Sequence, residues 1–245
     1  MNAIEHRKNR LQVSSATKRA PSPVEILLVY GVTLAYIVGS GKLFTLSEPR
    51  WVNILFPIGL GAIPLIFAKV RGMSLSAVFP FASVSRRYSI RALLLVPGVL
   101  IALLPLSRIL TPYMPVKEGT NQSTMALIFS NGFFYAFLSI VLLPAVSEEI
   151  LCRGFILSGL RSVLGKWESI IVCAALFAVL HLQLIRIPFA FVPGLAISYI
   201  AWESRSLVLP ITMHFLHNGI LFCILWAAYR FPTGQAMPFI SIFCP

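Results

Sequence analysis

The chain alternates long apolar runs with short polar breaks. The runs lie near residues 24–44, 51–69, 91–112, 128–147, 169–187, 188–202 and 206–229. About 20 apolar residues suffice for a helix to cross the hydrocarbon layer of a bilayer. The pattern therefore predicts an all-α polytopic transmembrane bundle of about seven spans, with six and eight as the bounds. The sixth run is short, and its boundary at Pro188 stays open. Pro97 and Pro105 are expected to kink the third span, which neighbouring helices tolerate in a membrane. Residues 231–245 are apolar, but two internal prolines in so short a segment argue for an interfacial position over a crossing. Residues 70–90 read as a basic, aromatic-containing loop on the membrane surface.

Composition agrees with the pattern. The chain is 58% hydrophobic and only 11% charged, with a mean hydropathy of +0.85. Soluble domains are normally about one quarter charged. Residues 1–23 form a basic tail, followed by N-terminal helices over 24–122 and a more polar set of helices over 123–230. The first apolar run is too long for a signal-peptide core and lacks a clear A-x-A site, so it reads as a retained span. No internal repeat, low-complexity tract or linker separates these regions. Cys152, Cys173, Cys223 and Cys244 stand far apart, without metal-type spacing, and read as small buried hydrophobes.

A net charge of +12 raises the question of nucleic acid. The bases are scattered between apolar runs and make no polar, aromatic-studded face, so nucleic acid is not an expected partner. Their distribution instead orients the chain. With the N-terminus cytoplasmic, the inner side holds five bases ahead of the first span. It also holds Lys69, Arg71, Arg86, Arg87 and Arg91, and then Arg153, Arg161, Lys166 and Arg205. The outer side keeps Lys42, Arg50, Arg108, Lys117, Arg186 and Arg230. Loops on the cytoplasmic side of a membrane are enriched in Lys and Arg, so this bias supports an N-in arrangement.

Ionisable groups inside apolar spans cost about 2.5–3.5 kcal/mol each on insertion scales and call for an explanation. The stretch SEEILCRGF, residues 147–155, follows a run from Gly119 to Ser147 with no charge at all. Glu149 and Arg153 are four apart, acid first, which places an ion pair on one helical face in the better orientation. Glu148 is rotated about 100° from Glu149 and is left unpaired, as suits a general base. A capping reading is equally available. Pro144 and Ser147 would end one helix and start the next, with both glutamates in a first turn favoured by the helix dipole.

In LFAVLHL, Phe177 and His181 share a face. In TMHFLHNG, His214 and Asn218 share a face and His217 flanks it. A lone histidine in a span is often only a packing residue with one hydrogen bond. Two histidines and an asparagine within five residues need a polar interior, or hydrogen bonds between helices. Together, an acid, two imidazoles and an amide make a hydrolytic set: a base, a water-positioning ring and donors for an oxyanion.

EE-xxx-R (Glu148, Glu149, Arg153), F-xxx-H (Phe177, His181) and H-xxx-N (His214, Asn218) occur in that order on successive spans. This ordered triple resembles the CPBP family of intramembrane proteases, also called the CAAX prenyl protease 2 or Abi family, which includes Rce1-type enzymes. The resemblance covers about residues 130–228, making 123–230 the catalytic region. It implies a glutamic endopeptidase with no metal cofactor. Glu148 would activate water, His181 would hold it, and His214 with Asn218 would stabilise the oxyanion. Glu149, Arg153 and Phe177 would support the site, with the role of His217 open. The expected partners are the bilayer and a protein or peptide substrate, lipidated or carrying a C-terminal sorting tag. The expected location is a bacterial inner membrane. The motifs meet only if the fourth helix runs past Glu148 toward residue 158.

Other readings remain. A zinc protease would use Glu148, His181 and His214 as a His2Glu site, although HExxH is absent. Aspartyl chemistry is excluded because the chain has no Asp. A serine mechanism is weak, since no nucleophile motif surrounds Ser158. A non-catalytic membrane protein, in bacteriocin self-immunity or scaffolding, would have no need of the full polar set. A transporter more often shows repeated halves.

Overall fold

A computed structural model describes residues 19–44, 49–110, 113 and 128–231. Among these residues there are no strands, and seven long helices carry the fold. They are α1 (Pro23–Phe44), α2 (Pro49–Val70), α3 (Arg86–Leu110), α4 (Phe133–Leu160), α5 (Lys166–Val179), α6 (Ile187–Ser204) and α7 (Val208–Arg230). Helices are the expected solution, because lipid offers no partners to an unpaired backbone amide or carbonyl. Six of the seven are long and apolar enough to cross a membrane, and the chain is an integral multi-pass membrane protein. The exception is α5. Its 14 residues span only about 21 Å at 1.5 Å per residue. The expected fifth span, 169–187, is therefore shorter than its apolar run: the chain turns at Leu180–Gln183 and enters α6 through a 3₁₀ turn at Leu184–Arg186.

The fourth span corrects the expected boundaries. It starts at Phe133, not near 128, and continues through Glu148 to Leu160, as the meeting of the motifs requires. The capping reading of the acidic pair fails with it. Pro144 lies inside a continuous helix, and the Ser147 hydroxyl donates back to the Pro144 carbonyl at 3.4 Å. Two wide π turns, Leu138–Leu142 and Ile150–Ile156, interrupt the α geometry. Each shifts the register of the side chains beyond it, and such turns recur at functional sites.

The main core fills the half of α4 beyond Glu149. Leu151, Cys152, Phe155, Ile156 and Leu157 are fully buried against α1, α2, α5 and α6. Of the cysteines, Cys152 and Cys173 are buried as expected, but Cys223 is exposed on α7. Cys244, like the rest of 232–245, lies outside the described residues, as does most of the basic tail.

The end of the bundle beneath this core is closely tied. Phe79 is buried against Gly154, the Leu207 amide donates to the Pro80 carbonyl at 2.7 Å, and Ser206 donates to the Ala82 carbonyl at 2.8 Å. Part of the expected surface loop is thus folded into the bundle. Glu25, buried at the start of α1, accepts hydrogen bonds from Arg19, Arg71 and Ser22.

At Gly159, α4 passes close to the chain that leads into α1. A Cβ there would lie 2.5 Å from the Pro21 carbonyl oxygen and 2.7 Å from Ile26 Cδ1. Gly159→Ala is expected to destabilise the fold by about 1–3 kcal/mol, read as a lower thermal midpoint in detergent. An unchanged midpoint would mean that α1 can shift aside freely.

Candidate active site

Four helices bring the polar groups together in mid-bundle. α4 supplies Glu148, Glu149 and Arg153. Phe177 comes from α5, with His181 just beyond its end, and α7 contributes His214, His217 and Asn218. α6 adds a contribution that the sequence pattern did not reveal, the Gly194 carbonyl and the Ser198 hydroxyl.

The two adjacent glutamates have different surroundings. Glu149 and Arg153 are both completely buried, with Arg153 Nη1 donating to Glu149 Oε1 at 2.8 Å. The guanidinium spends its other donors on α6. Nε donates to Ser198 Oγ at 3.2 Å and Nη2 to the Gly194 carbonyl at 3.0 Å. It also sits 4.7 Å from the centre of the Phe177 ring. Such a planar, multiply bonded fork is what arginine supplies and lysine does not. Gly194 allows this crowding, since a Cβ there would already lie 3.2 Å from the Phe177 ring.

Glu149 Oε1 has a second partner, His214 Nδ1, at 2.8 Å. A carboxylate can only accept, so Nδ1 carries the proton of this bond. The opposite ring nitrogen, Nε2, is thereby aimed at Glu148 Oε2, 3.8 Å away and beyond hydrogen-bond length. Glu148 is only partly buried, with 22% of its side chain exposed, and it lines a cavity. Adjacent acids on one helix have thus separated: one is locked in an ion pair and the other faces open space.

Phe177 is the spacer between the imidazoles. Its ring meets His181 edge-on at 5.3 Å between centroids and His214 at 5.8 Å. His181 Nδ1 lies 3.2 Å from the Phe177 carbonyl, which fixes that nitrogen as the donor and leaves Nε2 to accept. Asn218 Nδ2 donates to the Ile140 carbonyl at 3.3 Å. Pro144, four residues after Ile140, has no N–H to give that carbonyl. A proline inside α4 thus helps orient an amide on α7.

The cavity has a volume of about 670 Å³ and is lined by Glu148, Phe177, His181, His214, His217 and Asn218 among mostly apolar neighbours. That is ample for a peptide segment, within the usual range of about 300–1,000 Å³ for ligand sites. His217, whose role was open, is buried on this wall, and its Nδ1 has no hydrogen-bond partner. Of the candidate residues, Glu148, Phe177, His181, His214, His217 and Asn218 line the cavity. The exceptions in exposure are Glu149 and Arg153, which sit behind the wall. No three His, Cys or acidic side chains among the described residues are placed to hold a metal ion.

Comparison with known proteins bears on the same segment. Residues 130–220 match the family model described as type II CAAX prenyl endopeptidase, Rce1-like. No curated protein and no solved structure matches the chain. The match spans all three motifs, from the start of α4 to just past Asn218, so the segment that builds this site is similar to a family of peptidases.

Proposed function

We propose that the chain is an intramembrane endopeptidase that cleaves a peptide bond with a water activated by Glu148. The observation that carries this reading is the division of the acidic pair. Glu149 is consumed by Arg153 and His214, while the Glu148 carboxylate faces the cavity beside the free edge of the same histidine. A general base needs to be within reach of a water and not already committed to a cation.

The steps follow from the donors and acceptors available. Glu148 takes a proton from a water that His181 Nε2 helps to hold. The resulting hydroxide adds to the carbonyl carbon of the scissile bond. His214, oriented by its Nδ1 bond to Glu149, and the free N–H of Asn218 Nδ2 stabilise the developing oxyanion. Glu148 then returns its proton to the nitrogen as the C–N bond breaks, releasing an amine and a carboxylic acid, which gives up its proton to water. No step draws on a metal. The substrate is a membrane-associated protein or peptide; a lipid-modified tail or a C-terminal sorting tag would each suit a cavity that is mostly apolar.

A mixed peptide library offered to the purified chain in detergent, with and without a strong chelator, tests this reading by mass spectrometry of the products. Cleavage is expected at undiminished rate in the chelator. Loss of cleavage in the chelator would replace the glutamate mechanism with zinc chemistry. Absence of any product from peptides and from membrane-embedded substrates alike would favour a non-catalytic partner protein.

A further inference from the structure

The cavity does not sit evenly in the bundle. It is lined by Ser40 near the end of α1, Asn53 near the start of α2, and Ser139 on the first half of α4. Gln183 and Arg186 in the turn between α5 and α6, and Leu221 on the second half of α7, complete its rim. Successive spans alternate in direction, so all six positions belong to one end of the molecule. The deepest lining residues are Leu60, Glu148, Phe177, Ile197 and His214. Beyond Glu148, α4 continues as the buried stretch Leu151–Leu157, and no residue of α4 past Glu148 lines the cavity. From Glu148 to Leu160 is about 18 Å of helix at 1.5 Å per residue, all of it packed core. The cavity is open at one end and closed at the other.

The closed end is the basic one. Arg19, Arg71, Arg86, Arg87, Arg161 and Arg205 all lie at the ends of helices on that side, as the order of the elements dictates. Among the described residues the open end carries fewer cations, Arg108, Arg186 and Arg230 being three of them. Arg153 belongs to neither count, because it is buried in the ion pair with Glu149. Excess Lys and Arg mark the cytoplasmic side of a multi-pass protein.

We infer that the site opens to the side of the membrane opposite the cytoplasm and takes its substrate there. The substrate class is a polypeptide that is exported or exposed on that face, its scissile bond entering the outer half of the bilayer. A cytosolic protein that docks a lipid-modified tail on the inner leaflet would meet the closed, basic end. The inference rests on the endopeptidase reading for what enters the cavity, but not for the side on which the cavity opens.

Labelling separates the two. Leu184, 87% exposed in the turn at the open end, and Ser83, exposed at the closed end, are each replaced by Cys. The background is Cys223→Ser and Cys244→Ser, leaving the buried Cys152 and Cys173. The chain is expressed in a bacterium, and intact cells are treated with a membrane-impermeant maleimide. Leu184→Cys is expected to label in intact cells, and Ser83→Cys only after the membrane is opened. Labelling of Ser83→Cys in intact cells, or failure of Leu184→Cys to label until permeabilisation, overturns the inference. The same comparison of Leu184→Cys against the otherwise unaltered chain reads out the answer if the serine background does not insert. Outside labelling of Leu184→Cys with no proteolysis of any peptide would leave the orientation standing and remove the endopeptidase reading.

Discussion

Glu148→Gln is expected to lower peptide cleavage by about 10²–10⁴-fold, the usual worth of a positioned general base, while the protein folds as before. The substitution keeps the shape and removes the ability to accept a proton from water. It should be structurally mild because Glu148 is partly exposed to the cavity and makes no ion pair with Arg153. The nearest nitrogen of His214, Nε2, is 3.8 Å from its carboxylate. The thermal midpoint and the elution profile of the variant should therefore match those of the parent. Full activity in Glu148→Gln would mean that another group takes the proton. A variant that is inactive but also unfolded would mean that Glu148 supports the fold, contrary to its position on the cavity wall.

Arg153→Ala is expected to have the opposite profile, with most of the damage in the fold. The guanidinium is completely buried and joins α4 to α6 through Gly194 and Ser198 while neutralising Glu149. Removing it leaves a buried carboxylate with only His214 as a partner. Stripping one member from a buried pair costs about 3–5 kcal/mol, enough to unfold many proteins. Folded yield after detergent extraction, followed by size-exclusion chromatography, should fall sharply. Arg153→Lys should recover only part of it, because an ammonium retains the charge but cannot span Glu149, Ser198 and Gly194 as the fork does. If Arg153→Ala folds with the parent's stability and loses only cleavage, the arginine acts in the chemistry and the bracing role is wrong.

The pair of predictions separates two acids that are neighbours in sequence, and that separation was legible beforehand. The spacing from Glu149 to Arg153 is one helical turn, and the spacing from Glu148 to Arg153 is not. The H-xxx-N spacing likewise holds because α7 presents residues four apart on one face, and the F-xxx-H pair meets because the turn after α5 sets His181 against Phe177. Segment boundaries survived less well. A uniform apolar run conceals where a helix stops, so the short α5 and the turn before Leu184 were merged into one span. Pro144 suggested a break that α4 does not make, and the wide turn at Leu138–Leu142 lies immediately before it.

Partners contributed by α6 were invisible for a different reason. The donor network of Arg153 ends on a backbone carbonyl, which every residue has, and on one serine in an apolar helix. Neither Gly194 nor Ser198 differs in type from the small residues that any packed membrane helix contains. Only the crossing of α4 against α6 marks them. His217 stood out by residue type, yet its spacing did not assign it a partner, and its Nδ1 remains without one inside the bundle.

The most direct test of the glutamate-activated water is the origin of the new carboxylate oxygen. A peptide that the chain cleaves is incubated with excess enzyme in ¹⁸O-labelled water for a single turnover, in the presence of chelator. The product is then weighed by mass spectrometry, together with the proteolytic fragment of the enzyme that contains Glu148. Attack by water held against Glu148 predicts one ¹⁸O in the product carboxylate and none in Glu148. An unlabelled product with ¹⁸O on Glu148 would show that the glutamate itself attacked the carbonyl, and the activated-water account would be wrong.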